Sequence, residues 1–189
     1  RPRRRPLPVI HRRGRGARNR SPHARSAPHP PVTARIHLLA RSPGGVPKRA
    51  VDVVHIGPDG LEGDWQRNRK YHGGPLRAVC LFPLEHIEAL RTEGHPIAPG
   101  DVGENVVTTG LPWSDVVPGV RLQLGDTCVL EITSYTEPCR TIRHAFRDGD
   151  SGRIAQDRHP GWSRVYARVV QPGAVRTGDP ITLHPEHGA

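Results

Sequence analysis

Glycine and proline occur so often in this chain that its helices and strands must be short. The sequence of 189 residues contains 21 of each, and both residue types weaken or end helices and central strands. Only 4% of the residues are aromatic, so Val, Leu and Ile must build most of the core. This composition disfavours a helical bundle and favours short strands that are joined by many turns.

The positive charge of the chain is concentrated in its first 31 residues. The whole chain has a formal net charge of +10, and residues 1–31 hold ten Arg, no Lys and no acidic residue. Subtracting these ten leaves 18 basic residues against 18 acidic ones, so residues 32–189 are formally neutral. The tail also contains seven prolines and few apolar side chains. It is therefore predicted to be disordered, because it cannot bury enough surface to offset the entropy cost of ordering.

Three other interpretations of the tail stay open. Arg-rich segments without acidic residues are typical of organellar transit peptides, although the prolines disfavour the amphipathic helix that such peptides form. The chain contains no Met, which also fits a truncated or wrongly chosen start. Finally, ten arginines suit a nucleic-acid-binding arm, whose affinity would fall steeply with salt.

The cysteines and the apolar runs predict a cytoplasmic protein without a membrane anchor. The chain has three cysteines, Cys80, Cys128 and Cys139, and no two of them form a CxxC pair. An odd number without such a pair argues against a secreted disulfide framework and a zinc knuckle. No apolar run is long enough for a signal-peptide core or a membrane span. Cys80 and Cys128 lie within apolar runs, where they are expected to be small core residues.

Short apolar runs between turn residues predict one helix and about seven strands. The helix is expected in LEHIEALRTE, which follows Pro83, has apolar residues at helical spacing and ends at Gly94. Gly125 and Asp126 predict a hairpin between VRLQL and TCVLEIT. The remaining strands are expected in ARIHLLA, VDVVHI, residues 78–82, residues 105–108, WSRVYARVV and ITL, and residues 139–159 are expected to be irregular with one or two short helices.

This order of elements predicts the fold class. Many short strands with a single clear helix favour a mainly β domain, built as a closed or nearly closed β-barrel, over a parallel α/β sheet. The domain should cover residues 32–185. The loops at the rim of such a barrel would then hold the unusual polar residues.

The first cluster of candidate site residues lies in the segment GDWQRNRKYHGG. Arg69, Lys70 and His72 precede Gly73 and Gly74, and paired glycines let backbone approach a ligand closely. This arrangement favours an anion cradle, and a solvated basic loop is the alternative.

A second cluster, GDVGEN, places Glu104 and Asn105 beside the start of a strand. It is a weak signal by itself, because Gly, Asp and Asn are ordinary turn residues.

The third cluster contains a thiol and directly follows the strand TCVLEIT. Pro138 restricts the chain before Cys139, and Arg140, Arg143 and His144 follow it. Neighbouring cations favour the thiolate form of a cysteine. A thiolate serves as a nucleophile, a sulfur carrier or a soft metal ligand, and the alternative is a loop cysteine without a role.

Taken in order, GLEGD, YHGG, GEN, EPC and VYARVVQPGAVRTGDPITL resemble the MOSC domain, the module named after the C-terminal part of molybdenum cofactor sulfurase. The resemblance is greatest to small stand-alone bacterial members and covers about residues 32–185. It implies a strand-rich barrel in which Cys139 binds the molybdenum cofactor, molybdopterin, or carries sulfur. The sequence contains no P-loop, no dinucleotide-binding glycine motif, no GxSxG elbow and no HExxH helix.

The resemblance implies a molybdenum-dependent oxidoreductase that reduces N-hydroxylated or similar small substrates. Cys139 would ligate the metal, and His72 or Glu104 would relay protons. The residues that would hold the cofactor are Arg69, Lys70, Gly73, Gly74, Asn105, Arg140 and Arg143.

The resemblance also bears on partners and on other cofactors. The chain has no ferredoxin-like cysteine cluster, so electrons would have to come from a separate donor protein. Pyridoxal phosphate is not expected, since the only lysines are Lys48 and Lys70 and that chemistry needs a large fold. One alternative function is a persulfide carrier, with sulfur on Cys139. Another is nucleic-acid binding through residues 1–31.

Overall fold

The computed structural model describes residues 33–65 and 73–184. The predicted tail, and with it the proposed domain boundary at residue 31, lies outside the described residues. Within the described ranges, no helix is long and apolar enough to span a membrane.

Most regular elements of the described residues are short β-strands. The strands are β1 (Arg35–Arg41), β2 (Arg49–Val51), β3 (Val53–Gly57), β4 (Gly60–Leu61), β5 (Val79–Pro83), β6 (Val106–Thr109), β7 (Arg121–Leu124), β8 (Cys128–Tyr135), β9 (Val165–Gln171), β10 (Gly173–Arg176) and β11 (Ile181–His184). The α-helix is α1 (Leu84–Thr92), and short 3-10 helices occupy Pro75–Arg77, Trp113–Asp115, Arg140–Ala145 and Ser151–Ile154. The mainly β class is confirmed.

The strands form two sheets. The larger has the order β11-β7-β8-β9-β5-β6-β1-β2, and the smaller has the order β10-β3-β4. Neighbouring strands are antiparallel except for β5 and β6, which are parallel. The predicted hairpin is confirmed: β7 and β8 pair from Arg121 and Glu131 to Leu124 and Cys128, and three residues rather than two connect them.

The predicted closed or nearly closed barrel is not confirmed, because the larger sheet ends at β11 and β2. One isolated bridge joins Arg35 of β1 to Pro180, just before β11. The backbone N–H of Ile36 donates to the Asp179 carbonyl at 2.9 Å, and that of Ile181 donates to the Ala34 carbonyl at 2.8 Å. The Gly178 N–H also donates to the Ile36 carbonyl at 2.8 Å. Among the described residues these bonds form an isolated bridge rather than a pairing of β1 with β11.

Two apolar clusters stabilise the domain, and adjacent residues of β5 and β6 face different clusters, as Leu81 and Phe82 do. On β8, Cys128, Leu130 and Ile132 are buried in the first cluster, which confirms the burial of Cys128. The second cluster lies under α1, where Ile87 and Leu90 pack with Phe82 of β5 and with residues of the Arg140–Ala145 helix. The helix begins at Leu84, because Pro83 is extended (φ −81°, ψ 141°) and belongs to β5.

Candidate functional site

The loop that carries Cys139 continues directly from β8. The backbone N–H of Thr136 donates to the Arg164 carbonyl at 3.0 Å, and the Ser163 hydroxyl donates to the Thr136 carbonyl at 2.9 Å. Cys139 is extended (φ −108°, ψ 170°) and precedes the 3-10 helix Arg140–Ala145. Its half-buried side chain packs against the second apolar cluster. The thiol is therefore held at the edge of the core and is partly accessible.

The two predicted cations after Cys139 are exposed. Arg140 opens the 3-10 helix and Arg143 lies one turn later. His144 is also exposed, and its Nδ1 lies 3.1 Å from the Thr141 carbonyl. The side chains of Arg140, Arg143 and His144 therefore follow Cys139 in the sequence and are exposed on the surface.

Glu104 is completely buried and braces the turn before it. Its Oε1 accepts the Gly100 backbone N–H at 2.6 Å, and its Oε2 accepts that of Val102 at 3.2 Å. Burial raises the pKa of the carboxyl group to about 7, although these hydrogen bonds and the Arg164 charge favour the ionised form. The side chain is therefore partly protonated at neutral pH.

Asn105 links three segments of the chain with its side chain. Its Oδ1 accepts the Cys80 backbone N–H at 3.1 Å, and its Nδ2 donates to the Ala40 carbonyl at 3.2 Å. The same Nδ2 donates to Asp64 Oδ2 at 3.0 Å. The GEN and GLEGD motifs, 41 residues apart at these positions, are thus in direct contact.

Asp64 forms a buried ion pair with Lys48. Lys48 Nζ lies 2.5 Å from Asp64 Oδ2, and the two side chains are 7% and 1% exposed. The Ser42 backbone N–H donates to Asp64 Oδ1 at 2.8 Å. Neither residue was predicted from the sequence as part of the site. The presence of Asp64 in the GLEGD motif was the available signal.

Arg164 is a second buried cation that was not predicted from the sequence as part of the site. It is 5% exposed, and its Nη1 donates to the Val102 carbonyl. Its Nε, like the hydroxyl of Thr136, is buried without a hydrogen-bond partner among the described residues. It lies within the predicted strand WSRVYARVV, whose sequence gave no reason to expect a buried charge.

Tyr166 and Cys80 pair across β9 and β5, on the face opposite the first apolar cluster. Burial raises the pKa of Cys80 to about 11, and the Arg164 charge lowers it only in part. The pKa of Tyr166 is raised by burial and then by the Cys80 charge, with a smaller contribution from Cys139, against the lowering effect of Arg164. Tyr166 is therefore a protonated phenol within electrostatic reach of both cysteines.

The structure describes only part of the predicted anion cradle. Gly73 and Gly74 both have positive φ, at 87° and 79°, a conformation that favours glycine. Arg69, Lys70 and His72 lie outside the described residues. The cradle therefore stays a prediction.

The side chains of the described part do not provide a metal site by themselves. In residues 33–65 and 73–184, no group of three or more His, Cys, Asp or Glu side chains is placed to hold a metal ion. A metal at Cys139 would therefore need donor atoms other than those of the described side chains.

The arrangement just described corresponds to a known family. The MOSC domain model matches residues 68–182. The chain belongs to the MOSC domain family. This confirms the resemblance that the ordered motifs indicated.

Several proteins of this kind are similar to the chain. YflK of Bacillus subtilis (strain 168) is 30% identical over 141 residues, which are 74% of this chain and 62% of that protein. YiiM of Escherichia coli (strain K12) is 34% identical over 130 residues, 66% of this chain and 56% of that protein. The chain thus spans less than two thirds of the length of these two relatives. A protein of Gibberella moniliformis named "Reductase" is 32% identical over 117 residues, 59% of this chain and 20% of that protein.

A solved structure supports the same fold. The crystal structure of YiiM from Geobacillus stearothermophilus superimposes with a TM-score of 0.63 at 25% identity, covering 80% of this chain and 75% of that one.

Proposed function

We propose that the chain binds the molybdenum cofactor at Cys139 and reduces small N-hydroxylated substrates. The observation that carries the proposal is the half-buried Cys139 thiol in a loop that is hydrogen-bonded to the segment of the buried Arg164. Membership of the MOSC domain family supports it. The name of the fungal relative supports the reductive reaction.

The residues around Cys139 fit a ligand that carries oxygen atoms and negative charge. Buried polar groups are normally hydrogen-bonded, yet Arg164 Nε and Thr136 Oγ1 have no partner among the described residues. A guanidinium N–H and a hydroxyl suit the acceptor oxygens of a phosphate or a pterin. A thiolate is a soft ligand that suits a molybdenum ion already held by dithiolene sulfurs.

When bound, the cofactor would supply two-electron redox chemistry. Cys139 would provide the protein's sulfur ligand, and Arg164 would offset negative charge beside it. The phenol of Tyr166 holds a proton near both cysteines and can donate it in a hydrogen bond. Arg69, Lys70, Arg140 and Arg143 are proposed to bind the cofactor phosphate, with Gly73 and Gly74 as backbone contacts.

Protons and electrons would reach the site by different routes. Glu104, with a pKa of about 7, and His72 are proposed to exchange protons at neutral pH, where a group with such a pKa is most effective. Electrons would come from a separate donor protein, and the location is proposed to be cytoplasmic.

Replacement of the thiol tests the proposal. Cys139→Ala should lose nearly all bound molybdenum in protein purified from a cofactor-producing host, as measured by elemental analysis. Cys128→Ala is the matched control, since Cys128 is 0% exposed and lies within the first apolar cluster. Wild-type molybdenum content in Cys139→Ala would show that this residue is not the ligand.

A second candidate is sulfur transfer through a persulfide on Cys139. The observation that favours it is accessibility, because Cys139 is half-buried whereas Cys80 and Cys128 are buried. Mass spectrometry of the same preparations distinguishes the two functions. Cyanide-labile sulfur on Cys139 without molybdenum would favour the carrier, whereas molybdenum without added sulfur would favour the reductase.

A further inference from the structure

Aromatic rings enclose His86 of α1 on several sides. Its imidazole stacks on Trp162 with centroids 4.5 Å apart and an interplanar angle of 19°. Trp113 meets it edge-on at 6.2 Å, and Phe82 does so at 5.8 Å. We name His86, Trp113 and Trp162 the aromatic clamp. The clamp fixes two indole rings that are 49 positions apart in the sequence.

The aromatic clamp is connected to the Cys139 loop by hydrogen bonds. Trp113 Nε1 donates to the Ser163 carbonyl at 3.0 Å, and Ser163 directly follows Trp162. The Ser163 hydroxyl donates to the Thr136 carbonyl at 2.9 Å, and the Thr136 N–H donates to the Arg164 carbonyl at 3.0 Å. An unbroken series of contacts thus runs from His86 to the residue that begins the loop 136–139.

His86 is suited to the clamp only as a neutral ring. Burial lowers its pKa, and the nearby Arg153 charge lowers it further, while Glu85 on α1 acts in the opposite direction. Its Nδ1 is buried without a hydrogen-bond partner among the described residues. A proton there would place an unsatisfied N–H and a second cation beside Arg153, which is costly in a buried position.

Charged side chains of both signs lie near the clamp: Glu85 precedes His86 on α1 and Arg153 lies against Trp162. The Arg153 guanidinium lies 3.8 Å from the ring centroid of Trp162 and pairs with Glu93 at 2.7 Å. His95 lies 3.6 Å from the same Glu93 carboxylate. Asp115 closes the 3-10 helix that begins at Trp113. Burial is the largest effect that opposes protonation of His86, Glu85 favours protonation, and Arg153 opposes it.

We propose that the aromatic clamp is a positioning device for Cys139, which holds the loop 136–139 while His86 is neutral and loosens it when His86 gains a proton. His86, Trp113 and Trp162 would thus act on Cys139 through Ser163 and Thr136. The effect of this positioning of Cys139 on a reaction rests on the proposed function. The loop movement itself is measured in protein without cofactor, so the two proposals fail separately.

The first test removes one hydrogen bond of the series. Trp113→Phe keeps an aromatic ring but loses the N–H that donates to Ser163. Hydrogen exchange of residues 134–141, followed by mass spectrometry, should become about fivefold faster, the factor expected for one net hydrogen bond. Trp65→Phe is the matched control, because Trp65 is 55% exposed and belongs to another segment.

Two results of this test would overturn the proposal. One is unchanged exchange of residues 134–141 in Trp113→Phe. The other is an equal acceleration in β1 and β6, which would mean that the ring only stabilises the whole domain.

The second test removes the titrating group and keeps the ring. The folded pKa of His86 is lowered, so protonation favours the open state and the clamp loses stability as pH falls below the unfolded value of about 6.5. The protection of residues 134–141 against hydrogen exchange should fall at least threefold between pH 7 and pH 5 in the wild-type protein. The intrinsic pH dependence of chemical exchange is corrected for. His86→Phe should remove this fall.

His55→Phe is the control for the second test. His55 is an exposed histidine of β3, in the smaller sheet, and it takes no part in the series that leads from His86 to Thr136. This variant should keep the wild-type fall in protection. If protection of residues 134–141 fell as much in His86→Phe as in the wild-type protein, the role of His86 would be refuted.

Discussion

At the scale of single residues, charge and its burial set the properties of this site. Lys48 and Asp64 neutralise each other at 7% and 1% side-chain exposure, whereas Arg164 contacts a carbonyl rather than a carboxylate. The Arg164 charge lowers the pKa values of Cys80, Glu104 and Tyr166 against the raising effect of burial, and Lys48 acts in the same direction on Cys80. Arg164 is therefore the buried cation that these three groups share.

Glu104 gives a pH prediction at this scale. Its folded pKa of about 7 lies above the ordinary value of 4.5, so the folded state binds the proton more tightly than the unfolded state. Stability should therefore decrease as pH rises from about 4.5 to about 7, by up to roughly 3 kcal/mol from this group alone. Glu104→Gln removes the titration, and urea unfolding at pH 5, 6, 7 and 8 should show a smaller decrease than in the wild-type protein.

The control for this prediction is Glu88→Gln. Glu88 is an exposed carboxylate on the same domain, in α1. Its replacement should leave the pH dependence of stability as in the wild-type protein. An identical pH dependence in Glu104→Gln would mean that this buried carboxyl group has an ordinary pKa.

At the scale of secondary structure, a close backbone contact fixes how β4 meets the residue just before β5. Gly60 of β4 has a φ of 109°, and a Cβ atom there would lie 2.3 Å from the Ala78 carbonyl oxygen. Gly178 has a similar φ of 93° but open space around it. Both positions disfavour any other residue for conformational reasons, and only Gly60 adds a collision with backbone.

This pair of glycines provides a prediction with an internal control. Gly178→Ala should cost about 1 kcal/mol of folding free energy, which is the strain of positive φ alone. Gly60→Ala should cost at least about 1 to 3 kcal/mol more, because backbone must move to relieve the contact. Chemical denaturation of the two variants measures the difference, and equal losses would contradict the close packing of β4 on β5.

The sequence predicts individual elements better than their arrangement. Periodicity located α1, and the Gly125–Asp126 turn located the β7–β8 hairpin, because both signals lie within a few adjacent residues. Pairing between distant strands has no such local signal, so the parallel β5–β6 pair and the separate three-stranded sheet were not predicted.

The same limit applies to the candidate site. Cys139 was selected because its thiol stands in a polar loop, and the contact between Asp64 and Asn105 agrees with the motifs that were selected. The buried positions of Arg164 and Tyr166 were not predicted, since they depend on β9 pairing with β5 and β8. Burial of a cation such as Lys48 is a property of the folded chain that its local sequence does not reveal.

At the scale of the whole molecule, charge separates the chain into two parts with different expected behaviour. Residues 32–189 balance 18 basic with 18 acidic residues, and residues 1–31 carry the excess of ten positive charges. Nucleic-acid binding that depends on phosphate contacts should therefore reside in residues 1–31. The apolar clusters found among the described residues consist of residues between Ala34 and Leu183.

Binding of a short DNA duplex to the full chain and to residues 32–189 tests this division. The full chain should bind with an affinity that decreases steeply between 50 and 200 mM salt, because each Arg–phosphate contact releases a counterion. Residues 32–189 should show no salt-dependent binding in the same fluorescence anisotropy assay, with circular dichroism as the control for folding. Equal affinities for the two chains would assign the binding surface to the neutral domain and would contradict the prediction, since that domain has no excess of positive charge with which to attract phosphate.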